Sequence, residues 1–589
     1  MKVPVFLLAV FCSPLIFAQD FSDDNPGLPK YLSNEEKLLA PYITFDAGAA
    51  SSIVGITTPP TLPVRTAAEW EEMDGYMVTW TSYTSMLRQI IRYGREECRM
   101  YVVTDNPNTV YTSLLNNGID TSNVTCIVAP FNSVWSRDYG PNNIYYNKVD
   151  SLALVDWIYN RITRPKDDTV PAGIAKALGL TMYSTTVAPY NFVATGGNFM
   201  SDGLGTAFSS KLILNDNKPA AGFGANHTEA EIDSIMWKFQ GINRYIKMET
   251  LPYDGIHHID MHMKLLDEET IMVGEYPQGI ADGPQIEANL QYVLSNFQTA
   301  FGTDWRVVRI PMPSDNGQWP SGSGDYLTYT NASFINKTII VPTYNIPTDT
   351  TALRIWREAC PGYRVVGINS TSSIPASGAL HCITHEIGAS EPLLIQHKRL
   401  RDTYDTSFGY TAFAYIEHRS GIQSATLYYT TDTTQPYQSV PMYDVFGDHY
   451  EGIIPAQPAG TEVFYYIHAQ ANNSKQQVRP ITAPTGFYNF KVLGATGVED
   501  ISQQSSVIGQ IFPNPSKGIT CLPIETTAAL PITIDCLNVL GEKIQTVYEG
   551  ATKAGDNKYF LNTQNFSAGV YFIRCQIGGK EITKRLMVK

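Results

Sequence analysis

Residues 76–103 read YMVTWTSYTSMLRQIIRYGREECRMYVV, and the alternation inside this stretch decides the fold class. Tyr76 to Trp80 and Met100 to Val103 are short apolar runs rich in aromatic and β-branched residues, the composition of buried strands. Between them, Thr84 to Tyr93 spaces its apolar residues at helical intervals. Working outward, a helix is predicted over Asn108 to Asn116 and a strand over Val124 to Val128. The same grammar returns with a helix over Glu229 to Phe239, strands over Met261 to Leu266 and Thr270 to Val273, and a helix over Gln285 to Gln298. It returns again with strands over Trp305 to Ile310 and Thr338 to Pro342 and a helix near Thr351 to Glu358. This is an α/β domain over residues 61–397, ordered from near Arg65, whose loosely repeated modules can surround an axis.

The rest of the 589 residues is organised differently, as the length of the chain requires. From 398 to 494 helical patterns vanish, and alternating runs at Ala412 to Glu417, Gln423 to Thr430, His449 to Ile453 and Glu462 to Ala471 predict an immunoglobulin-type sandwich. A polar linker covers 495–510. A small third β domain follows over 511–589, with strands around Ile532 to Val539, Gly569 to Ile573 and Leu586 to Lys589. At the other end, Met1-Lys2, the apolar run Val3 to Val10 and Ala18 read as a signal peptide over 1–18, too short to span a bilayer. Residues 19–60 lack periodicity and are expected to be a mobile leader or pro-segment. No later run has the length of a transmembrane segment.

Hydrophobic residues make up 43% and charged residues only 17%, which excludes a mostly disordered chain. The net charge of −14 gives no overall electrostatic support for gripping nucleic acid or an anionic membrane. Of eight cysteines, Cys12 lies in the signal peptide, so an odd number is exported and at least one thiol stays free or pairs between chains. Cys382 is the candidate free thiol. Cys98, Cys126 and Cys360 are open to pairing or to service as small buried hydrophobes.

Four polar clusters in the α/β part adjoin glycines or turns, where side chains escape the core: Trp135 to Pro141, Ala194 to Asn198, His257 to His262 and Gly378 to Thr384. In a strand, His258, Asp260 and His262 would share one face, a spacing compatible with a metal site, an acid/base pair or a structural cluster. The Cys382 segment favours covalent chemistry, since a cysteine flanked by Gly378 and His381 at a strand end suits a thiolate nucleophile.

In their order along residues 60–390, these clusters together resemble the guanidino-group modifying superfamily, specifically the agmatine deiminase and porphyromonad-type peptidylarginine deiminase family. The resemblance also rests on Arg65 to Glu71 and on Tyr329-Thr330-Asn331 with Pro342 following. It implies a five-bladed α/β propeller (pentein) with a central site and no metal or organic cofactor. Asp138, His258, Asp260 and Cys382 carry over as catalytic positions, with Asn331 as support and His262 as a structural neighbour. Two carboxylates, Asp138 and Asp260, would hold the planar guanidinium cation. Cys382 would attack its central carbon to give a thiouronium, and His258, as imidazolium, would protonate the departing ammonia before activating water.

Export, the sandwich domain and the segment Tyr159 to Asp168 favour arginine in polypeptides, giving citrulline. In that segment Arg161 and Arg164 resemble the pair that receives the carboxylate of a C-terminal arginine, spaced one residue wider than in the family. Trp135 is expected beside the aliphatic part of the arginine. Phe512 to Pro515, Gly569 to Phe572 and Lys584 to Lys589 resemble a type IX secretion sorting domain. That implies transfer through the secretion machinery and a secreted or surface-attached enzyme acting on peptide or protein arginine. The rivals are a secreted agmatine or free-arginine deiminase and a metal-dependent hydrolase using His258, Asp260 and His262.

Overall fold

One module recurs five times between Val64 and Gly388: an antiparallel strand pair, then a helix that returns the chain to lay down a parallel strand. A computed structural model describes residues 27–40, 55–494, 506–508, 511, 513–526, 528–538, 542–577 and 580–589. In the first module Asn142–Tyr146 pairs antiparallel with Leu152–Tyr159, and the helix Val170–Leu178 leads to the parallel strand Thr181–Thr185. The second uses Met200–Ser201, Thr206–Ser210, helix Glu229–Gln240 and Arg244–Met248. The third uses Met263–Asp267, Thr270–Glu275, helix Gly283–Asn296 and Arg306–Pro311, and the fourth Ser333–Ile335, Thr338–Thr343, helix Thr348–Ala359 and Arg364–Asn369.

The fifth module joins the two ends of this region. His385–Gly388 pairs antiparallel with Met73–Thr79, helix Thr84–Gly94 follows, and Arg99–Thr104 and Val124–Val128 complete the sheet in parallel. The helix buries Met86, Leu87, Ile90 and Ile91 on one face, as its spacing requires. Each such side chain contributes about 1.5–3 kcal/mol of burial, so Leu87→Ala is expected to cost about 2–5 kcal/mol. Thr228 and Glu231 form a capping box at the start of Glu229–Gln240, and Gly241 at φ 69° ends it.

The chain then runs without a break into antiparallel strands: Leu394–His397, Tyr410–Glu417, Ile422–Thr430, Gln438–Phe446, His449–Ile454, Glu462–Ala471, Gln476–Arg479 and Tyr488–Lys491. The expected boundary at 397/398 is not a break. One compact unit takes in residues 1–401, 407–456 and 462–491 so far as they are described. Its two parts are clamped by a row of acids in the third module: Asp267 pairs with Arg399, Glu268 with Arg479 at 2.5 Å, and Glu269 with Arg401 at 2.6 Å.

The second unit comprises residues 402–406, 457–461 and 492–589. Two sheets, Ser506–Ile508 with Ile519–Thr526 and Gly555–Asn562, and Pro531–Leu537 with Lys543–Ala551, Gly569–Ile577 and Lys580–Val588, share a core around Ile524, Ile534 and Leu586. The strand Ser506–Ile508 pairs with Ile519–Thr526, so the expected linker 495–510 overlaps the last domain. The signal-peptide reading, including Cys12, lies outside the described residues. The leader differs from expectation: residues 27–40 are ordered, and Asn34–Leu39 is a short helix with a Ser33/Glu36 capping box. Segment 258–262 differs too, because Ile259–Met261 is a 3₁₀ turn and the strand starts only at Met263.

Candidate active site

Each of the five antiparallel pairs is entered through a buried turn, and these turns hold the polar clusters. Ser136–Tyr139 precedes Asn142–Tyr146, Gly196–Asn198 precedes Met200–Ser201, and Ile259–Met261 precedes Met263–Asp267. Residues 328–331 precede Ser333–Ile335, and His381–Ile383 precedes His385–Gly388. A repeated module therefore delivers one polar turn from each sheet to a common place. Asp138, His258, Asp260, Asn331 and Cys382 are all fully buried there.

Asn331 fixes the nucleophile's turn. Its Oδ1 accepts from the backbone N–H of His381 at 3.1 Å and of Cys382 at 3.4 Å, while its Nδ2 donates to Cys382 Sγ at 3.1 Å. The Cys382 thiol points to Asp260 Oδ2 at 3.6 Å. Asp138 Oδ1 accepts from the Gly197 N–H at 3.2 Å and lies 3.5 Å from His258 Nδ1. A Cβ at Gly197 would stand 2.5 Å from His258 Nδ1 and 3.0 Å from Asp138 Oδ1, so only glycine lets the two approach. His257 adopts φ 57°, a backbone strain that aims the next residue into the site. Asp138 Oδ2 and Asp260 Oδ1 are buried without a hydrogen-bond partner among the described residues.

The leader fills the site. Lys30, fully buried, donates from Nζ to Cys382 Sγ at 2.8 Å and lies 3.6 Å from Asp138 Oδ1. Its backbone N–H donates to Ala376 O at 2.8 Å, and its carbonyl accepts from Arg161 Nε at 2.9 Å. Arg164 grips the Glu36 carboxylate with Nε at 2.7 Å and Nη2 at 2.8 Å, and Nη2 also reaches the carbonyls of Pro29 and Tyr31. Trp135 Nε1 donates to Leu28 O at 2.9 Å, and a Cβ at Gly378 would strike its ring at 2.4 Å.

Electrostatics follow from burial and the paired carboxylates. Burial pushes the Cys382 thiol up to about 12, with Asp260 adding to the rise and the Lys30 ammonium opposing it. Burial also raises Asp138, against Lys30, whereas at Asp260 the pull of Lys30 and His381 overcomes burial and holds the carboxyl below its usual range. Burial works against the Lys30 charge, yet Asp138 and Asp260 hold its ammonium above the ordinary value. Burial and the same ammonium push His258 well below its ordinary value, which disfavours the expected imidazolium while Lys30 occupies the site.

The structure brings Asp138, His258, Asp260, Asn331 and Cys382 together. It does not group His258, Asp260 and His262 as a strand would, since the 3₁₀ turn breaks the alternation. Among the described residues no three His, Cys, Asp or Glu side chains are grouped to hold a metal ion. His262, lowered to about 4 by burial, has neither ring nitrogen partnered among the described residues. Arg161 and Arg164 both face the leader. All seven described cysteines are free, not Cys382 alone. Sequence reasoning missed Lys30, for which there was no signal. It also missed the chain behind Asp260, in which His381 Nδ1 meets Asp260 Oδ2 at 2.8 Å, His381 Nε2 meets Glu69 at 3.1 Å and Glu69 pairs with Lys264. The signal for that chain lay inside the quoted motifs containing Glu69 and His381.

Residues 61–387, more than half of the chain, match the family model described as Porphyromonas-type peptidyl-arginine deiminase, and residues 510–589 match a secretion system C-terminal sorting domain. A protein of Vibrio parahaemolyticus, provisionally described as an agmatine deiminase, is 25% identical over 296 residues, 46% of this chain and 79% of its own. A Shewanella baltica protein of the same description is 25% identical over 298 residues, covering 45% of this chain and 76% of its own. A solved structure, also provisionally described as an agmatine deiminase, is 19% identical with TM-score 0.50, covering 58% of this chain and all of its own, and shares the fold. The agmatine deiminase of Enterococcus faecalis is 19% identical with TM-score 0.49, covering 57% and 98%. No helix among the described residues is long and apolar enough to cross a membrane.

Proposed function

Because the chain belongs to the Porphyromonas-type peptidyl-arginine deiminase family, we propose that this guanidino-group hydrolase converts peptidyl-arginine to citrulline and ammonia. One observation carries the choice of substrate: Lys30 Nζ touches Cys382 Sγ while Arg161 holds the carbonyl of the same residue. The distance from thiol to Arg161 is therefore the span of one residue with a long cationic side chain and a carbonyl group. Arginine in a peptide, or as its last residue, supplies both. Agmatine supplies the cation and has no carbonyl for Arg161.

Lys30 Nζ and arginine Cζ are each five bonds from Cα, so the ammonium stands in for the carbon to be attacked. Around that point Asp138 Oδ2 and Asp260 Oδ1 await donors, and a guanidinium fork satisfies both with charge-assisted hydrogen bonds. The bound cation lowers the thiol pKa that the two carboxylates and burial had raised, so the substrate helps to ionise its own nucleophile. Neutral His258 takes the thiol proton, Cys382 Sγ bonds to Cζ, and the tetrahedral adduct expels ammonia as His258 returns the proton. Water, deprotonated by His258, then adds to the thiouronium carbon, and the C–S bond breaks to leave the ureido product and the thiol. Asn331 orients the sulfur, and Trp135 walls the channel.

The five repeated sheets are, on this reading, the blades of a propeller with the five turns at its axis, and the strands from Leu394 to Lys491 form an immunoglobulin-type domain. The sorting domain marks the chain for export, to the surface or the medium. The test is to supply the enzyme with agmatine, free arginine and peptides with internal or terminal arginine, measuring ammonia and ureido product. Arginine peptides are expected to be the better substrates, and a preference for agmatine would favour the rival reading.

A further inference from the structure

We propose that residues 27–40 are a tethered pseudosubstrate: Lys30 occupies the guanidinium position and keeps the enzyme latent until the segment is displaced or removed. The inference rests on the deiminase reading of this site and adds its regulation. The fit is that of a ligand. Lys30 places a cation of the substrate's charge, on a stem of the substrate's length, against the thiol and the carboxylate of Asp138. Its main chain is held on both sides, by Ala376 and by Arg161, and the flanking carbonyls of Leu28, Pro29 and Tyr31 all have side-chain donors. Glu36, which also accepts from the Ser33 N–H and the Thr163 hydroxyl, anchors the far end on Arg164.

Lysine is the residue that can sit there and not be consumed. Thiolate addition requires an electrophilic carbon bearing a leaving group, and at the corresponding position lysine carries a nitrogen. The ammonium therefore neutralises the carboxylate pair without reacting. Burying it alone would carry a severe desolvation penalty, which the two carboxylates offset. A segment serving only as scaffold has no need of a cation in a fully buried site, where an apolar side chain would pack without the cost of desolvating a charge.

A tether holds its ligand at an effective concentration of about millimolar, so a segment with an affinity of about 10 to 100 μM suppresses the open site by a factor on the order of 10 to 100. The test uses the full chain retaining residues 27–40, as unmodified protein, Lys30→Ala and Lys30→Arg. Alkylation of Cys382 by a haloacetamidine, a small amidinium reagent, reports access without reference to any substrate. Ammonia release from an arginine peptide reports activity. Both rates are expected to rise on the order of 10-fold to 100-fold in Lys30→Ala. In Lys30→Arg, residue 30 is expected to become citrulline at a rate independent of protein concentration, read from the peptide mass and abolished by Cys382→Ala. Equal alkylation of the unmodified and Lys30→Ala proteins, or an arginine that stays intact at position 30 in a protein that turns over added arginine peptide, overturns the proposal. Faster alkylation in Lys30→Ala with no turnover of any guanidino compound supports the plug and defeats the deiminase reading. If Lys30→Ala does not fold, the mass of residue 30 in the conservative Lys30→Arg protein decides.

Discussion

Replacing Arg161 by alanine tests how the site tells a peptide from a free amine. Arg161 is preorganised, its Nη1 donating to the carbonyl and side-chain oxygen of Asn160 at 2.9 and 2.8 Å, which leaves Nε directed at the Lys30 carbonyl at 2.9 Å. A hydrogen bond from a charged donor is worth about 1.5–3 kcal/mol. At about 1.4 kcal/mol per factor of ten, kcat/KM for an arginine peptide should fall about 10-fold to 150-fold. Agmatine, which has no carbonyl, should lose less than about twofold, since it never made the bond. The leader uses the same guanidinium, so both measurements belong in the Lys30→Ala background, where release of the leader cannot hide the loss. Steady-state ammonia release at subsaturating substrate gives the ratio. Comparing the two substrates within one variant cancels general damage to the protein. Equal losses on both substrates, or no loss on the peptide, would refute the assignment of Arg161 to the carbonyl. An amidated C-terminal arginine still offers a carbonyl and should retain most of the effect, whereas a free carboxylate should strengthen it.

Cys382→Ala is expected to abolish ammonia release while EDTA leaves the native enzyme active; activity lost to chelation and restored by zinc would instead promote a metal mechanism. Asp138→Asn and Asp260→Asn should each cost about 2–5 kcal/mol in kcat/KM for an arginine peptide, and a near-native value would remove that residue from the guanidinium site. Glu36 gives the leader a pH dependence: burial opposes its charge, but the Arg164 guanidinium lowers it from 4.5 to about 2. A depressed carboxyl stabilises the bound state above its free-chain value and loses that contribution as pH falls toward the bound-state value. Protection of amides 27–40 from hydrogen exchange, corrected for intrinsic rates, should therefore weaken between about pH 4.5 and 2, and unchanged protection would refute the anchor. Arg479→Ala strands the buried Glu268 carboxylate and should destabilise the first unit by about 3–5 kcal/mol in thermal unfolding; an unaltered Tm would show that the ion pair contributes nothing there.

The elements that sequence made legible are those with strong local patterns. Thr84 to Tyr93 carries one-sided apolar spacing and Glu229 to Phe239 adds a capping box, and both are helices in the structure within a residue or so of expectation. Strands buried on both faces were harder, because Leu152–Tyr159 has every residue buried and so no alternation to read. The 258–262 segment was misread for a related reason: its apolar and polar residues alternate as in a strand, but Ile259 and Met261 are buried from a 3₁₀ turn.

By itself the sequence determined the chemistry available: a thiol, two carboxylates, an imidazole and an amide in turn-forming contexts, in an order that matches a family of guanidino hydrolases. Side-chain type and turn propensity are local properties, written at each position. The tertiary structure alone decided that those five turns stand at equivalent points of five modules and meet, that Glu69 and Lys264 stand behind Asp260 through His381, and that acids 267–269 clamp the α/β part to the β-rich part. These depend on contacts between residues tens to hundreds of positions apart. Lys30 is the extreme case. Nothing in Pro29-Lys30-Tyr31 distinguishes it from a solvated lysine, and its role comes from the Cys382 thiol 352 positions along the chain, at 2.8 Å, and from the Asp138 and Asp260 charges that hold an ammonium in a fully buried place.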